Sequence, residues 1–219
     1  MTAPKLKLCG LHSLEDVIAV SESSADFAGF VMAESRRRVT PESVKKWLDA
    51  CPLPGKKIAV LFVNEKAAEI ERVVEILDPD IIQFHGDEPL HHLEHIKQST
   101  GKEIWKAVPH EEQTLEKMEQ YTGTADGFII DAKVKGARGG TGQRFDWSHI
   151  PRYVSFGKDR GLPLLIAGGV TPKNAGELLS FQPWGVDVSS GIEKEGKKDK
   201  SLVMEMEKRL NSNENHVSR

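Results

Sequence analysis

Eight short apolar runs recur at nearly regular intervals, and this alternation restricts the possible folds more than any other feature of the chain. The runs are "LKLCG", "DFAGFVM", "KIAVLFV", "DIIQFHG", "EIWKAV", "DGFIID", "LPLLIAGG" and "GVDVSSG", which begin at Leu6, Asp26, Lys57, Asp80, Glu103, Asp126, Leu162 and Gly185. Short runs rich in β-branched and aromatic residues and bounded by polar turns predict buried β-strands. The mean spacing of a little under about 30 residues is typical of a strand followed by a helix.

The segments between the runs carry helix-start signals. Ser13 with Asp16 resembles a capping box, and "TP" at 40–41 and at 171–172 predicts an N-cap followed by proline in the first helical turn. Eight strand–helix units with near-continuous apolar strands predict a buried parallel sheet that closes into a (β/α)₈ TIM barrel. The main alternative is an open doubly wound sheet, which does not require eight strands.

Composition indicates the class of protein and its surroundings. The chain has 219 residues, and its 30 Lys+Arg against 33 Asp+Glu give a formal net charge of -3, which offers no general attraction for nucleic acid or an anionic membrane. No run approaches the roughly 18 apolar residues of a membrane span, and "MTAPKLKL" lacks the apolar stretch of a secretory signal. We therefore expect a cytoplasmic protein.

Domain organisation and cysteine usage are simple. We expect one domain over residues 1–219, with a frayed polar tail from about 210 to 219. Cys9 and Cys51 are far apart and form no C-x-x-C pair, which predicts free thiols rather than a disulfide or a zinc site.

In a TIM barrel the working residues lie where strands end and loops begin, at the C-terminal face. The residues at these predicted ends are Cys9, Gly10, Gln83, His85, Gly86, Asp131, Gly168, Gly169, Ser189, Ser190 and Gly191. Glycines directly after strands seven and eight let backbone N–H groups approach an anion, and "RGGTGQ" at 138–143 adds a third glycine-rich turn. A single glycine-rich turn can also serve only to let the chain turn tightly, without binding an anion. Three at one mouth favour a phosphorylated ligand.

Seven stretches resemble, in order, the motifs of the phosphoribosylanthranilate isomerase family of tryptophan biosynthesis. They are "KLCGLHSLED", "GFVMAESRRRVTPE", "VLFVNE", "IIQFHGDE", "IIDAKVKGARGGTGQRFDW", "LIAGGVTPKN" and "GVDVSSGIEKEGKKD". The resemblance runs from about Lys5 to about Glu207. It implies an isomerase that converts N-(5-phosphoribosyl)anthranilate into 1-(2-carboxyphenylamino)-1-deoxyribulose 5-phosphate by an Amadori rearrangement, with no metal and no organic cofactor.

The resemblance implies an acid and a base. It makes Cys9 the general base that removes the proton from ribose C2, and Asp131 the general acid that protonates the ring oxygen. A free thiol has a pKa of about 8.5, so we expect Cys9 to need a nearby positive charge, and Lys7, on the same side of the strand, would supply it. Asp131 should be shielded from water if it is to act as an acid. The simpler alternatives are that Cys9 is a buried structural thiol and that Asp131 holds a loop through hydrogen bonds.

The resemblance also implies residues that bind the substrate. Arg37 corresponds to the arginine that binds the anthranilate carboxylate, whereas Arg36 and Arg38 are expected to form a solvated basic patch. His85 either contacts the substrate or holds a loop. The phosphate group is assigned, mainly through backbone N–H groups, to Gly142, Gly168, Gly169, Ser189, Ser190 and Gly191. His91, His92 and His95 are expected on an exposed helix face rather than at a metal.

Two further readings stay open. One is another phosphosugar barrel. An indole-glycerol-phosphate synthase would need a pair of lysines at strand ends, and Lys106 and Lys133 are not enough to support it. A ribulose-phosphate epimerase would need a metal-binding set of histidines and aspartates, and the histidines of this chain are not at the right strand ends. The other is a non-enzymatic barrel that binds a phosphorylated ligand. In each case the expected partner is a small phosphorylated molecule, not nucleic acid or a membrane, and the choice between monomer and homodimer is open.

Overall fold

Eight parallel strands form a closed barrel in the computed structural model, which describes residues 3–132 and 144–212. Each strand pairs with its neighbours in chain order, and the first pairs with the last. The strands are Lys5–Cys9 (β1), Phe27–Val31 (β2), Lys57–Phe62 (β3), Ile81–Phe84 (β4), Glu103–Pro109 (β5), Gly127–Asp131 (β6), Leu164–Ile166 (β7) and Gly185–Val188 (β8). The predicted TIM barrel is confirmed, and the open doubly wound sheet is excluded.

Helices follow the strands and cover the outside of the barrel. They are Leu14–Ser21 (α1), Pro41–Ala50 (α2), Ala67–Leu77 (α3), Leu90–Thr100 (α4), Thr114–Tyr121 (α5), Ile150–Arg160 (α6), Ala175–Leu179 (α7) and Lys200–Ser212 (α8), with single 3₁₀ turns at Trp147–His149 and Ser190–Ile192. No helix in the described ranges is long and apolar enough to cross a membrane.

A small hairpin after β8 was not predicted from the sequence. Its strands Glu193–Lys194 (β9) and Lys197–Lys198 (β10) pair antiparallel, between the 3₁₀ turn and α8. Five of the six residues in "EKEGKK" are charged, so neither an alternation of apolar and polar residues nor an apolar run marks these strands. The hairpin places two charged side chains beside the mouth of the barrel.

Two of the predicted helix starts are confirmed. The Ser13 hydroxyl accepts a hydrogen bond from the Asp16 N–H, and the Thr40 hydroxyl accepts one from the Ser43 N–H, as N-caps do. The carboxylate of Asp16 accepts from the N–H of His12 rather than from that of Ser13, so the capping box is only half formed.

The predicted N-cap contact of Thr171 is present, because its hydroxyl accepts a hydrogen bond from the Asn174 N–H at 3.4 Å, but the helix itself begins later than predicted. Helix α7 starts at Ala175, because Asn174 first closes a turn. The Asn174 amide oxygen accepts from the Thr171 N–H at 2.8 Å, and its nitrogen donates to the Gly169 carbonyl at 2.8 Å. The Thr171 carbonyl accepts from the Ala175 N–H at 3.0 Å, so this turn leads directly into α7 and holds the loop after β7.

The barrel interior is apolar at one end and polar at the other. Side chains alternate between the interior and the helix layer, and the apolar interior consists of Phe27, Ala59, Ile81, Trp105, Ala107, Ile129, Leu165 and Ala167. The Phe27 and Trp105 rings lie 5.1 Å apart and both contact Trp184, which precedes β8. Aromatic rings therefore fill the N-terminal end, and charged side chains occur toward the C-terminal end.

The last helix extends into the segment predicted as a tail. Helix α8 continues to Ser212, and Leu210 is buried, so residues 210–212 are helical rather than frayed. Residues 213–219 lie outside the described residues.

Candidate active site

The thiol of Cys9 lies at the C-terminal end of β1, facing the barrel interior. Gly29 on β2 is its partner across the ladder. A Cβ atom added to Gly29 would lie 2.9 Å from Cys9 Sγ and 3.2 Å from Lys7 Nζ. The absence of a side chain on Gly29 therefore lets the thiol and the ammonium group share one space.

Lys7 lies entirely inside the barrel and is held from both sides. Its Nζ donates to Asp187 Oδ1 at 3.1 Å across the junction of β1 and β8, and it also hydrogen-bonds the Cys9 side chain. Burial alone would lower the pKa of Lys7, but Asp187 and Cys9 outweigh it and raise that pKa. Lys7 is therefore an ammonium ion at neutral pH.

Burial dominates the acidity of Cys9. It raises the pKa of the Cys9 thiol, whereas the charges of Lys7 and Lys198 oppose that rise and Asp187 adds to it. Lys7 thus lies where strand alternation predicts and acts in the predicted direction. Because burial is the larger influence, Cys9 is a protonated thiol at neutral pH in the free protein.

Asp131 ends β6 and has little exposure, as expected for a shielded acid. Its Oδ1 accepts from the Ala132 N–H at 2.8 Å, and its Oδ2 lies 3.3 Å from His85 Nε2. A Cβ on Gly168 would lie 3.0 Å from Oδ1, so this glycine also leaves room for the carboxyl group. His85, predicted to contact either substrate or a loop, contacts the proposed acid.

Arg37 lies in the loop after β2 and is buried against Glu193 on the hairpin. Its Nε and Nη2 donate to the two Glu193 carboxylate oxygens at 2.7 and 2.9 Å. Lys198 Nζ donates to Glu193 at 2.8 Å and to the Ser189 carbonyl at 3.0 Å. Arg36, with a 62% exposed side chain, also reaches Glu193. Burial would raise the pKa of Glu193, but the hydrogen bonds and charges of Arg37 and Lys198 outweigh it and hold that pKa below its usual range.

This charged cluster has an excess of positive charge. Three basic side chains, those of Arg36, Arg37 and Lys198, surround the one carboxylate of Glu193, although burial lowers the pKa of Lys198. Gly10 lies directly against the cluster, since an added Cβ would be 2.4 Å from Arg37 Cδ. The side of the mouth formed by the ends of β1, β2 and β8 therefore suits an anionic group.

The glycine turns after β7 and β8 meet at the mouth. Gly168 and Gly169 have φ values of 81° and 66°, a region that glycine adopts without strain. A Cβ on Gly191 would lie 1.8 Å from the Val170 carbonyl oxygen, so only glycine permits this approach of the two loops. Within residues 3–132 and 144–212, the N–H groups of Gly168 and Gly169 donate to no other group. Among those residues nothing competes with an anion for these two N–H groups, and the turn at Ser189, Ser190 and Gly191 adjoins them. The predicted Gly142 lies outside the described residues.

Lys106, one of the two lysines considered for the synthase alternative, has a structural role in the described part of the chain. Lys106 Nζ donates to the Gly86 carbonyl at 2.7 Å and to Glu88 at 2.8 Å, in a buried pair that holds the loop after β4. Lys133 lies outside the described residues. No group of three or more His, Cys, Asp or Glu side chains that could hold a metal occurs in the part of the chain that the structure describes.

Comparison with known proteins identifies the family of this barrel. A family model described as N-(5'phosphoribosyl)anthranilate (PRA) isomerase matches residues 6–209. The chain belongs to this family. It is 43% identical over 210 residues to the N-(5'-phosphoribosyl)anthranilate isomerase of Bacillus licheniformis, covering 96% of each chain. It is 44% identical over 213 residues to that of Bacillus subtilis, covering 96% of this chain and 97% of the relative.

Solved structures of the family share the fold. The Thermotoga maritima enzyme superimposes with a TM-score of 0.83 at 31% identity, covering 95% of this chain and 99% of that one. A phosphoribosyl anthranilate isomerase solved in complex with reduced 1-(o-carboxyphenylamino)-1-deoxyribulose 5-phosphate gives a TM-score of 0.80 at 30% identity, with the same coverage. The predicted family is confirmed, and the protein is an isomerase.

Three charged residues of this site were not identified from the sequence. Asp187 occupies an alternate, inward position in the run "GVDV", and that alternation could have placed it beside Lys7. Glu193 and Lys198 lie in a polar segment with no periodic signal. Their role depends on Arg37, which is 156 residues away in the chain from Glu193.

Proposed function

We propose that this protein catalyses the Amadori rearrangement of N-(5-phosphoribosyl)anthranilate to 1-(2-carboxyphenylamino)-1-deoxyribulose 5-phosphate in tryptophan biosynthesis. The observation that carries the proposal is that Cys9 and Asp131, a thiol and a carboxyl group, are both shielded from water at strand ends of one barrel mouth. The reaction needs a base and an acid on one sugar, and these residues supply the two groups.

Asp131 is proposed to open the sugar ring. Because Oδ1 accepts the Ala132 N–H, the acidic proton belongs on Oδ2, beside His85 Nε2. Transfer of this proton to the furanose oxygen breaks the bond between that oxygen and C1, and the nitrogen lone pair forms a protonated imine. His85 would orient the carboxyl group, and its contact with substrate stays a prediction.

Cys9 is proposed to remove the proton from C2 of the opened imine. The electron pair of that C–H bond forms the enolamine, which then tautomerises to the aminoketose. The base is the thiolate, which at neutral pH is a minor form because burial raises the pKa of Cys9. Lys7, at hydrogen-bond distance from the thiol, would stabilise the thiolate when it forms.

The substrate is proposed to lie at the mouth, with each of its two anionic groups bound by a separate set of residues. Arg37 would bind the anthranilate carboxylate. The turns that contain Gly142, Gly168, Gly169, Ser189, Ser190 and Gly191 would bind the phosphate. The solved relative that holds a reduced carboxyphenylamino-deoxyribulose phosphate supports this class of ligand. The cytoplasmic location stays a prediction, and the choice between monomer and homodimer stays open.

The test is the loss of phosphoribosylanthranilate fluorescence on adding purified protein. We expect turnover by the wild type and a decrease in kcat of at least 10²-fold in both Cys9→Ala and Asp131→Asn, in the range that general acid–base groups contribute. Cys51→Ala is the matched control, because Cys51 is the second free thiol and lies at the end of α2, and it should retain full activity.

The alternatives give different outcomes. Full activity in Cys9→Ala would remove the thiol from the mechanism. A folded wild type that binds the substrate without turnover would instead support the non-enzymatic barrel.

A further inference from the structure

The β9–β10 hairpin supports the one arginine to which carboxylate binding is assigned. Glu193 occupies the Nε and Nη2 atoms of Arg37 with both of its oxygens. Within residues 3–132 and 144–212, Arg37 Nη1 makes no hydrogen bond. A guanidinium group has two edges that can each bind a carboxylate, and one of them is already filled from the protein side.

Lys198 fixes Glu193 in turn. Its side chain has no exposed surface, and Nζ bridges Glu193 and the Ser189 carbonyl at the end of β8. The Lys198 N–H donates to Asp16 Oδ1 at 2.9 Å, which anchors β10 to helix α1. The carboxylate of Glu193 therefore contacts the buried Nζ of Lys198 on one side and the guanidinium group of Arg37 on the other.

We propose that Glu193 is a positioning residue for substrate binding: it holds Arg37 by its Nε–Nη2 edge, with Lys198 behind it, so that the other edge faces the carboxylate of the substrate. This inference rests on the proposed function. Without Glu193 the arginine side chain would sample several rotamers, and part of the binding free energy would be lost to ordering it. The cluster keeps its excess positive charge, so Glu193 orients the arginine without neutralising the site.

The effect should appear in KM rather than in kcat, since Arg37 binds a part of the substrate that does not react. We expect Glu193→Gln to raise KM at least tenfold with kcat within about threefold of the wild type. Glu193→Asp keeps the charge but is one methylene shorter, and should give an intermediate KM. Glu195→Gln, an exposed glutamate two residues along the same hairpin, is the matched control and should leave KM unchanged.

A substrate without the carboxylate separates positioning from a merely structural role. With N-(5-phosphoribosyl)aniline, Glu193→Gln and the wild type should have the same kcat/KM. With the natural substrate, Arg37→Gln should raise KM by a smaller factor in the Glu193→Gln background than in the wild type. An equal loss for both substrates in folded protein, checked by circular dichroism, would overturn the proposal. So would a lower KM in Glu193→Gln, because it would mean that Glu193 competes with the substrate for Arg37.

The two proposals fail in different ways. A folded wild type with no turnover overturns the proposed reaction and this inference with it. Turnover by the wild type with a raised KM in Arg37→Gln and an unchanged KM in Glu193→Gln overturns the positioning role alone.

Discussion

Cys9 illustrates how a single residue takes its properties from neighbours that are distant in the chain. The thiol is identified by its place at a strand end, but its acidity depends on the depth of burial and on Lys7, Asp187 and Lys198. Lys7 could be predicted from strand alternation. The balance between burial and charge could not, because it depends on distances that only the closed barrel defines.

Replacing Lys7 should shift the pH dependence of the reaction. Lys7→Met removes a charge that lowers the pKa of Cys9, so this pKa should rise further above its usual value. The thiolate fraction falls as pH decreases below the pKa, so the acidic limb of kcat/KM should move to higher pH. We therefore expect a lower kcat/KM at pH 7 and a recovery of activity as the pH is raised.

The measurement is the pH profile of kcat/KM for Lys7→Met beside that of Lys5→Met. Lys5 lies on the same strand, but its side chain is exposed and pairs with Asp26 near the opposite end of the barrel, so its profile should match the wild type. A loss in Lys7→Met by the same factor at every pH would contradict the electrostatic role of Lys7.

At the scale of elements, the apolar pattern of the sequence predicts the strands that pack in the core, but it does not predict elements that are held in place by ion pairs and polar hydrogen bonds. All eight strands follow from runs that are buried on both faces. The hairpin at 193–198 is held by ion pairs with Arg37 and by the hydrogen bond from Lys198 to Asp16, contacts with no periodic signature. Helix α7 starts later than predicted for a similar reason, since the turn before it is held by the hydrogen bonds of the Asn174 side chain, which have no periodic signature either.

The close approach of the loops after β7 and β8 can be tested with one methyl group. Gly191→Ala would place a Cβ atom 1.8 Å from the Val170 carbonyl oxygen, so the two loops must separate. We expect KM to rise at least tenfold and the free energy of unfolding to fall by about 1–3 kcal/mol, as for other overpacked sites.

Gly176→Ala is the control, measured by the same steady-state kinetics and urea titration. Gly176 lies in helix α7 with open space around an added Cβ, so alanine should stabilise the fold by up to about 1 kcal/mol and leave KM unchanged. An unchanged KM in Gly191→Ala would argue against phosphate binding by these loops.

At the scale of the whole molecule, the two ends of the barrel differ in chemistry: apolar rings fill the N-terminal end, and polar groups lie toward the C-terminal end. Phe27, Trp105 and Trp184 close the N-terminal end with contacting rings. The polar groups lie nearer the C-terminal end, where Lys7 and Asp187 join the first strand to the last. The ion pair links residues 180 positions apart, so it forms only when the barrel closes.

This ion pair should therefore show strong coupling in unfolding. Lys7→Met or Asp187→Leu alone leaves a buried charge without its partner, and each should lower the free energy of unfolding by about 3–5 kcal/mol. The double variant replaces the pair with apolar side chains, and it should lose less than either single variant because no charge is left buried. Urea titrations with a constant m-value would give the coupling free energy.

Lys5→Met, which breaks the exposed pair with Asp26, should cost no more than about 1 kcal/mol. Additive losses in the double variant would contradict the coupling and would mean that Lys7 and Asp187 stabilise the barrel independently, through separate contacts.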